Sequence, residues 1–339
     1  MNKVYIVIVN YNTFSDTIEC LESLLKSDYG NFQIFIVDNS PGNTSIDHLS
    51  DWITNNNYAG LNTRFKHLVY PLQEKPIVHR IMSEADFAVS DEVYDEKIVI
   101  IRAKNRGFAA ANNVVLNYIL KNGEGSSSIW VLNNDTVVEK NTLRNLAEFF
   151  QRNGGRKYMA GARLRYYNTP SVIQAVAGNY NIWLGKHTHI GEGEEDSGQY
   201  DHYRPGKTDY IVGASIFLPK SFIEQAGLMC EDYFLYFEEL DWIKTGMKHG
   251  YSIALVPNAI VYHKAGVSIA GNNGKKDFST AEYYSITSRV RFIKKWYPYC
   301  LITVMMGVTF ALVKRLLKGK FTLVKKTSIT LTRILFTKG

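Results

Sequence analysis

The chain has 339 residues, 45% of them apolar and 13% aromatic, which suffices for one large α/β core and excludes disorder as a global description. Its net charge of +7 is unevenly placed: no acidic residue follows Glu282, whereas 12 of the 39 Lys and Arg lie between Arg289 and Lys338. A mildly acidic body with a basic tail lacks the basic face that a nucleic-acid partner needs, and an anionic membrane surface suits the tail better.

The first residues, "MNKVYIVIVNYN", have neither a long apolar region nor a small-residue cleavage site, so they read as a strand and not as a signal peptide. "SDTIECLESLLKS" follows as an amphipathic helix, with Asp16 and Glu19 as a capping pair, and "FQIFIVDNS" is a second buried strand. Together they make a right-handed βαβ unit whose strands end in polar residues on one carboxyl edge. From Ser40 to Glu96 periodicity is lost, and a helix with irregular connections is the expectation.

Order returns with "KIVII" as a strand, a polar turn at Lys104 to Gly107, and a helix from about Phe108 to Leu120. "IWVL" is a buried strand that stops at Asn133-Asn134-Asp135, followed by a helix started by Asn141. Alternating strands and helices argue an open, mostly parallel sheet. Beyond it lie shorter strands and a hairpin, then a Gly-rich acidic loop from Gly191 to Asp209 that reads as a flexible lid. "YIVGASIFLPKSFIEQAG" reads as strand, turn, strand and helix start, and "YSIALVPNAIVYH" as a strand pair ending at His263. Near the end, Leu301 to Val313 is about 13 apolar residues, short of the roughly 20 that span a bilayer, and the basic, apolar residues after it have the composition of an interfacial helix. Cys20, Cys230 and Cys300 fit no zinc, redox or disulfide spacing and suggest a reducing compartment.

Three places carry candidate chemistry. In "NRGFAAANN", Gly107 permits a tight turn and the amides opening the next helix suit an anion or a base edge; the same residues also serve a purely structural turn. It matches neither GxGxxG nor a Walker motif, which argues against a dehydrogenase or a P-loop ATPase. In "DYFLYFEELDWI", Glu238, Glu239 and Asp241 follow an aromatic run, so desolvation and mutual repulsion should raise one carboxyl pKa toward neutrality; the alternative is acids favouring a helix N-terminus. Asp135 and His263 offer a carboxylate and an imidazole, a pair suited to Mg²⁺ or Mn²⁺.

The succession "VIVNYN", "FIVDNS", "NRGFAAANN", "LNNDTVV", "VGASIFLPK", "FLYFEELDW" and "VYHKAG" resembles the family 2 glycosyltransferases with a GT-A fold, in the rhamnosyltransferase-like and galactofuranosyltransferase-like branch. The resemblance covers about residues 3 to 300. It implies an inverting transfer from a nucleotide diphosphate sugar, a dTDP- or UDP-sugar, to a hydroxyl of a glycan or lipid-linked acceptor in bacterial surface polysaccharide synthesis. Asp38 would then hold the base, with Val9, Asn10 and Tyr11 lining its pocket. Asn105, Arg106 and Gly107 would contact base, ribose or phosphate, and Asn133, Asn134, Gly213 and Ala214 would complete the nucleotide-sugar site. Asp135 would coordinate the divalent cation with His263, and Glu239 would be the general base, flanked by Glu238 and Asp241.

The sequence departs from the family pattern twice: Asn133 stands where the first acid of the DXD motif belongs, and the interval from Asp38 to Asn105 is long. The resulting expectation is an α/β GT-A unit over residues 1–299, with a nucleotide-binding half to about 140, an acceptor half after it and an insertion over 45–95. Residues 300–339 form a basic amphipathic tail that places the enzyme peripherally on the inner face of the cell membrane. A non-catalytic nucleotide-sugar or glycan-binding protein and a nucleotidyltransferase are the alternatives.

Overall fold

The computed structural model describes residues 1–56, 58, 61–153, 157–264 and 278–336. β1 (Val4–Asn10), α1 (Phe14–Leu25) and β2 (Phe32–Asp38) form the expected parallel unit, in register from Val4 opposite Phe32 to Asn10 opposite Asp38. Their apolar runs are unbroken because both faces are covered: Tyr5 and Val7 join one buried layer, and Val4, Ile6 and Ile8 join the other.

The opening of α1 departs from expectation. No side chain caps it, and Asp16 and Glu19 both pair with Lys264 instead, Glu19 Oε2 at 2.5 Å. A half-buried ammonium at the end of a distant strand has the greater need of counter-charge, since the amides of a helix start can turn to water.

Residues 40–96 are more ordered than their pattern suggests. They supply α2 (Thr44–Thr54), α3 (Lys66–Val69), β3 (His79–Ser83) and α4 (Glu84–Val89). β3 lies parallel to β4 (Ile98–Arg102) and extends the sheet. The segment is fastened by a buried cluster: Glu22 accepts from Lys75 Nζ at 2.9 Å, from Trp52 Nε1 at 2.8 Å and from the Gln73 amide at 2.8 Å. With both carboxylate oxygens bonded and the ammonium paired, the charges tolerate burial.

The chain continues through α5 (Phe108–Asn122), β5 (Ser128–Leu132), β6 (Thr136–Val138), α6 (Thr142–Arg152), β7 (Tyr158–Tyr166) and β8 (Ile173–Ala175). β9 (Ala177–Asn181), β10 (Lys186–Ile190) and β11 (Asp209–Tyr210) form a small antiparallel sheet. β12 (Ser215–Pro219), α7 (Lys220–Ala226), α8 (Glu238–Lys248) and β13 (Ser252–His263) complete the main body. Among the described residues the large sheet has ten strands, in the order β3-β4-β2-β1-β5-β12-β7-β13-β6 with β8 beside β7. Pairing is parallel from β3 to β5, antiparallel on both sides of β12, and parallel again between β7 and β13. The expected strand pair before His263 is one strand, its register broken between Val256 and Ile260, where Pro257 cannot donate to the ladder.

The loop from Gly191 to Asp209, expected to be a flexible lid, is tied down. Arg163 bonds Asp196 at 2.9 and 3.1 Å and also pairs with Asp201, while Arg165 Nε reaches Asp196 at 2.8 Å. Arg163 is buried in β7, and the loop acids supply the counter-charge it requires.

α9 (Phe278–Trp296), a 3-10 turn (Pro298–Cys300), α10 (Leu301–Leu317) and α11 (Phe321–Phe336) end the chain. Glu282 of α9 holds the α10–α11 corner through Arg315 at 3.2 Å and Lys320 at 3.1 Å. The helical stretch Pro298–Leu317 is longer than its apolar run: 20 residues with mean hydropathy 1.8, enough by length and composition to cross a membrane.

Candidate active site

β1, β2, β4 and β5 are parallel, so their carboxyl ends share one edge, and polar side chains collect there. Asn10, fully buried at the end of β1, ties this edge together. Its Nδ2 donates to Asp38 Oδ1 at 2.7 Å and to Ser45 Oγ at 2.6 Å, and its Oδ1 accepts from Thr17 at 2.9 Å and Asn134 at 3.2 Å. Asn134 also donates to Thr13 Oγ1 at 2.6 Å and Thr17 Oγ1 at 2.9 Å. Asn10 and Asn134, expected to touch the nucleotide, are thus spent on fixing the turn after β5. The reason is satisfaction: buried carboxamides need partners, and the facing hydroxyls provide them. Asp38 takes its Asn10, Ser40 and Ser45 bonds on Oδ1, leaving Oδ2 for a ligand.

The same turn aims Asp135 at His263. The His263 Nε2 lies 3.2 Å from Asp135 Oδ1, which is buried and has no hydrogen-bond partner, so the contact is a charge approach without hydrogen-bond alignment. His263 Nδ1 meets Gln174 Oε1 at 2.7 Å, and Asn133 Nδ2 lies 3.4 Å from Nε2. Burial alone would raise the Asp135 pKa; His263 beside it, with Lys264 beyond, holds it below the usual carboxylate value. Gln174, the lone amide in the apolar strand β8, orients the imidazole as outer partners of metal-bound histidines do. An orphaned carboxylate oxygen facing a ring nitrogen of fixed orientation fits a divalent cation. Among the described residues no third His, Cys, Asp or Glu joins the pair, so a cation held there would draw its other ligands from water or phosphate.

Glu239 of α8 reaches the same edge. The Asn133 amide donates to the Ala214 carbonyl at 3.0 Å, and a Cβ on the neighbouring Gly213 would lie 3.0 Å from Glu239 Cγ and 3.2 Å from its Oε1. Glycine at 213 therefore lets the Glu239 carboxyl lie against the chain next to Asn133. Gly107 serves a similar close approach: at φ +102°, its Cβ would fall 2.5 Å from the Phe234 carbonyl oxygen. That carbonyl takes the Phe108 amide at 3.1 Å, so the first amide of α5, expected to be open to an anion, is spent on holding the acidic segment. Tyr236 and Phe237 both have positive φ, 66° and 74°, a conformation costing non-glycine residues about 1–2 kcal/mol each. Strain of this kind survives only where packing and bonding over-determine it.

Glu238 and Glu239 each keep one buried carboxylate oxygen without a partner. Burial, then the Glu239 charge, pushes the Glu238 carboxyl well above its ordinary range, and burial raises Glu239 as well. Each therefore binds a proton more readily than an exposed glutamate does. Asp241 does not belong with them. Its carboxylate accepts from Tyr233 at 3.2 Å, Lys295 at 2.8 Å and Trp296 Nε1 at 2.6 Å, and it anchors α8 to α9. Asp241 lies two positions after Glu239, about 200° around the helix, and so faces α9 on the opposite side from Glu239.

The loop before α5 is divided in its use. Asn105 Oδ1 accepts the Gly107 amide at 3.1 Å, a local turn bond. Arg106, expected at the nucleotide, instead pairs with Glu84 of α4 and lines a groove of about 470 Å³ between α4 and α5. A carboxylate brought close by the β3–α4 corner supplies the nearest counter-charge. Val9 is partly buried and Tyr11 is exposed at the end of β1.

These carboxyls predict a pH signature. A group whose native pKa is raised binds its proton more tightly when folded, so stability falls as pH rises from the ordinary glutamate value of 4.5 toward the native one. Glu238→Gln removes that loss, and its stability gain over wild type should grow with pH above 4.5 in urea titrations; a difference constant with pH would contradict the burial of an ionising Glu238.

No family model matches the chain. Of known sequences, the dTDP-rhamnosyl transferase RfbF of Shigella flexneri is 20% identical over 240 residues, 68% of this chain and 75% of that protein. The solved structure of GalNAc-T7 with UDP, GalNAc and Mn2+ aligns at TM-score 0.57 and 15% identity over 88% of this chain, which spans 48% of that one. The mannosyltransferase PcManGT from Pyrobaculum calidifontis, in complex with GDP-Man and Mn2+, aligns at TM-score 0.50 and 12% identity over 100% of this chain and 88% of that one. The chain thus has the GT-A fold and is similar to the rhamnosyltransferase-like glycosyltransferases that its motifs resemble.

Proposed function

We propose that the protein is a divalent-cation-dependent, inverting glycosyltransferase that moves a sugar from a dTDP- or UDP-sugar to a hydroxyl of a glycan or lipid-linked acceptor at the inner face of the membrane. The observation that carries this reading is the approach of Asp135 and His263 at the edge where Asn133 meets Ala214, with Glu239 lying against the adjoining Gly213. The relatives named for dTDP-rhamnosyl transfer, or solved with UDP and GDP-Man, support the donor class.

In this mechanism Asp38, through its free oxygen, and the backbone of Val9 to Tyr11 receive the nucleoside. Asp135 and His263 would hold a divalent cation, which would supply positive charge against the charge developing on the departing diphosphate. Glu239 takes the proton of the acceptor hydroxyl as its oxygen bonds the anomeric carbon; the bond from that carbon to the diphosphate breaks on the opposite face, and a nucleoside diphosphate leaves. Burial disfavours a second negative charge on Glu238, beside this base. Gln174 and Asn133 orient the imidazole, and Asn10 and Asn134 fix the turn that carries Asp135.

Glu239→Gln should lower sugar transfer by about 10²–10⁴-fold while nucleoside diphosphate binding persists, and Asp135→Ala should remove both activity and its dependence on added Mn²⁺ or Mg²⁺. Assays of released nucleoside diphosphate decide. Equal turnover by Glu239→Gln, or full wild-type activity in excess chelator, contradicts the assignment; wild-type donor binding without turnover would indicate a binding protein, and pyrophosphate release a nucleotidyltransferase.

Membrane attachment rests on the tail. Ile302, Met306 and Phe310, at helical spacing on α10, are 75%, 69% and 72% exposed. The exposed Trp183, Leu184 and Tyr299 lie at the start of that stripe, with the Trp183 and Tyr299 rings 6.0 Å apart and Thr303 Oγ1 bonded to the Trp183 carbonyl at 2.8 Å. Lys314, Lys318, Lys325 and Lys326 are exposed on the two terminal helices. Apolar side chains with an aromatic rim and neighbouring lysines suit the surface of an anionic bilayer. α10 also keeps Val304 and Val308 buried against the body, which favours a helix lying along the surface over one crossing it. The double variant Met306→Glu, Phe310→Glu should weaken binding to phosphatidylglycerol-containing vesicles at least about tenfold, since each apolar side chain contributes on the order of 1.5–3 kcal/mol when buried; unchanged co-sedimentation would remove the tail from the account.

A further inference from the structure

One face of the small sheet carries two imidazoles that the mechanism does not use. His187 and His189 alternate along β10 with Thr188 between them, so both project to the same side. Their register partners on β9 are Tyr180 and Gly178, and Tyr210 of β11 also pairs with Gly178, which puts Tyr180 and Tyr210 on that face too. The His187 and Tyr180 rings lie 6.5 and 5.9 Å from the ring of Phe237, the residue before Glu238. Tyr210 is within electrostatic reach of Glu239, and His189 of His263. The face therefore borders both the proposed base and the Asp135–His263 pair.

The geometry of the two rings suits a shared ion. Their centres are 6.2 Å apart, with the planes 30° from parallel. With metal–nitrogen bonds of about 2.0–2.1 Å, imidazoles that share one ion have ring centres about 5–6 Å apart, so a small side-chain rotation brings both nitrogens to one point. Among the described residues neither imidazole has a hydrogen-bond partner, so no bond within the protein has to break first. His187 is exposed and His189 partly so, which leaves the pair open to an ion from solvent.

Electrostatics favours the metal-binding form of each ring. Burial by the protein on their other sides is the largest cause that holds both below the ordinary histidine pKa. Glu192 acts against it at both, while His189 and Arg289 reinforce it at His187, and His263 does so at His189. Neutral imidazole is the species that ligates a metal. The Glu192 carboxylate, which accepts from the Tyr166 hydroxyl at 3.2 Å, adds negative charge that attracts a cation, against the opposing charge of Arg289. Ligand type then selects the ion: imidazole suits Zn²⁺, Ni²⁺ and Cu²⁺, whereas Mg²⁺ and Mn²⁺ favour oxygen ligands such as those of a diphosphate. Among the described residues no group of three His, Cys, Asp or Glu encloses a metal, so water would fill the other positions and the ion would exchange with solvent.

We propose that His187 and His189 form a second metal site, selective for Zn²⁺, Ni²⁺ or Cu²⁺, and that an ion bound there inhibits sugar transfer. A dication near Glu239 would favour its charged form and so lower its basicity. The site stands on the imidazole pair alone; the inhibition rests on the glycosyltransferase reading.

The test titrates Zn²⁺ into the full chain by calorimetry, with no other divalent ion present. Wild type should show a binding event that His263→Ala retains and that His187→Gln and His189→Gln each weaken at least about tenfold, the loss typical of disturbing even an outer partner of a metal ligand. Cu²⁺ in place of Zn²⁺ adds a readout that needs no variant to fold: electron paramagnetic resonance of wild type should show nitrogen couplings from two imidazoles. In transfer assays with saturating Mn²⁺, Zn²⁺ should inhibit wild type, and His189→Gln should need at least about tenfold more for the same inhibition. Zn²⁺ affinity unchanged in both glutamine variants, loss of the event in His263→Ala, or Cu²⁺ spectra without two nitrogen couplings would overturn the site. Equal inhibition of wild type and His189→Gln would overturn the inhibitory role. Zn²⁺ binding with the predicted properties in a chain that transfers no sugar would uphold the site and sink the glycosyltransferase reading.

Discussion

The carboxamide of Asn10 is the constraint on which the site depends. It ends β1 with no exposure to water, and its two ends join elements that are otherwise separate: Asp38 and Ser45 on one side, Thr17 and Asn134 on the other. In a low-dielectric interior such a network is stable only when every member is satisfied, so the positions of the β2 end and of the turn after β5 are specified together. Fixing Asn134 inward sends Asp135, the next residue but one along the turn from Asn133, toward His263. The proposed metal pair therefore follows from a network centred on Asn10 and Asn134, whose amide nitrogens are bonded within the protein.

A second set of contacts positions the proposed base. Gly107 and Gly213 are small because other chains pass at van der Waals distance, the Phe234 backbone at one and the Glu239 side chain at the other. Asp241, with Lys295 and Trp296, and Ser288 with the Leu235 carbonyl at 3.0 Å, bind the same segment to α9 from behind. The strained backbone at Tyr236 and Phe237 is held between these attachments, and the carboxyls of Glu238 and Glu239 are presented with little freedom. Because α9 also supports α10, the elements that hold the proposed base are continuous with those that would meet the membrane.

Much of this was legible in the residues. Uninterrupted apolar runs at β1, β2 and β5 announce strands covered on both faces, and the polar ends of those strands mark the edge where ligands gather. Asp135, His263 and the Glu238-Glu239 pair stand out because polar groups directly follow apolar runs. What stayed hidden was of two kinds. β3, with the mixed residues HRIMS half-buried at a sheet edge, and α3, a single turn, have no period to detect. Direction was the other: nothing local tells that Asn134 and Asp241 turn inward, that Arg106 meets Glu84, that Asp16 and Glu19 serve Lys264, or that Asp196 neutralises Arg163. Each is a pairing across tens of residues or a rotation of one position on a helix, decided by which buried charge most needs a partner.

The central claim is that Asp135 and His263 form half of a cation site that a nucleoside diphosphate completes. Electron paramagnetic resonance of Mn²⁺ titrated with the full chain, with and without UDP or dTDP, tests it most directly. The account predicts weak Mn²⁺ binding alone, binding tightened at least tenfold by the nucleoside diphosphate, and loss of that tightening in His263→Ala. Tight Mn²⁺ binding without nucleotide, or a nucleotide effect that His263→Ala leaves intact, would contradict it.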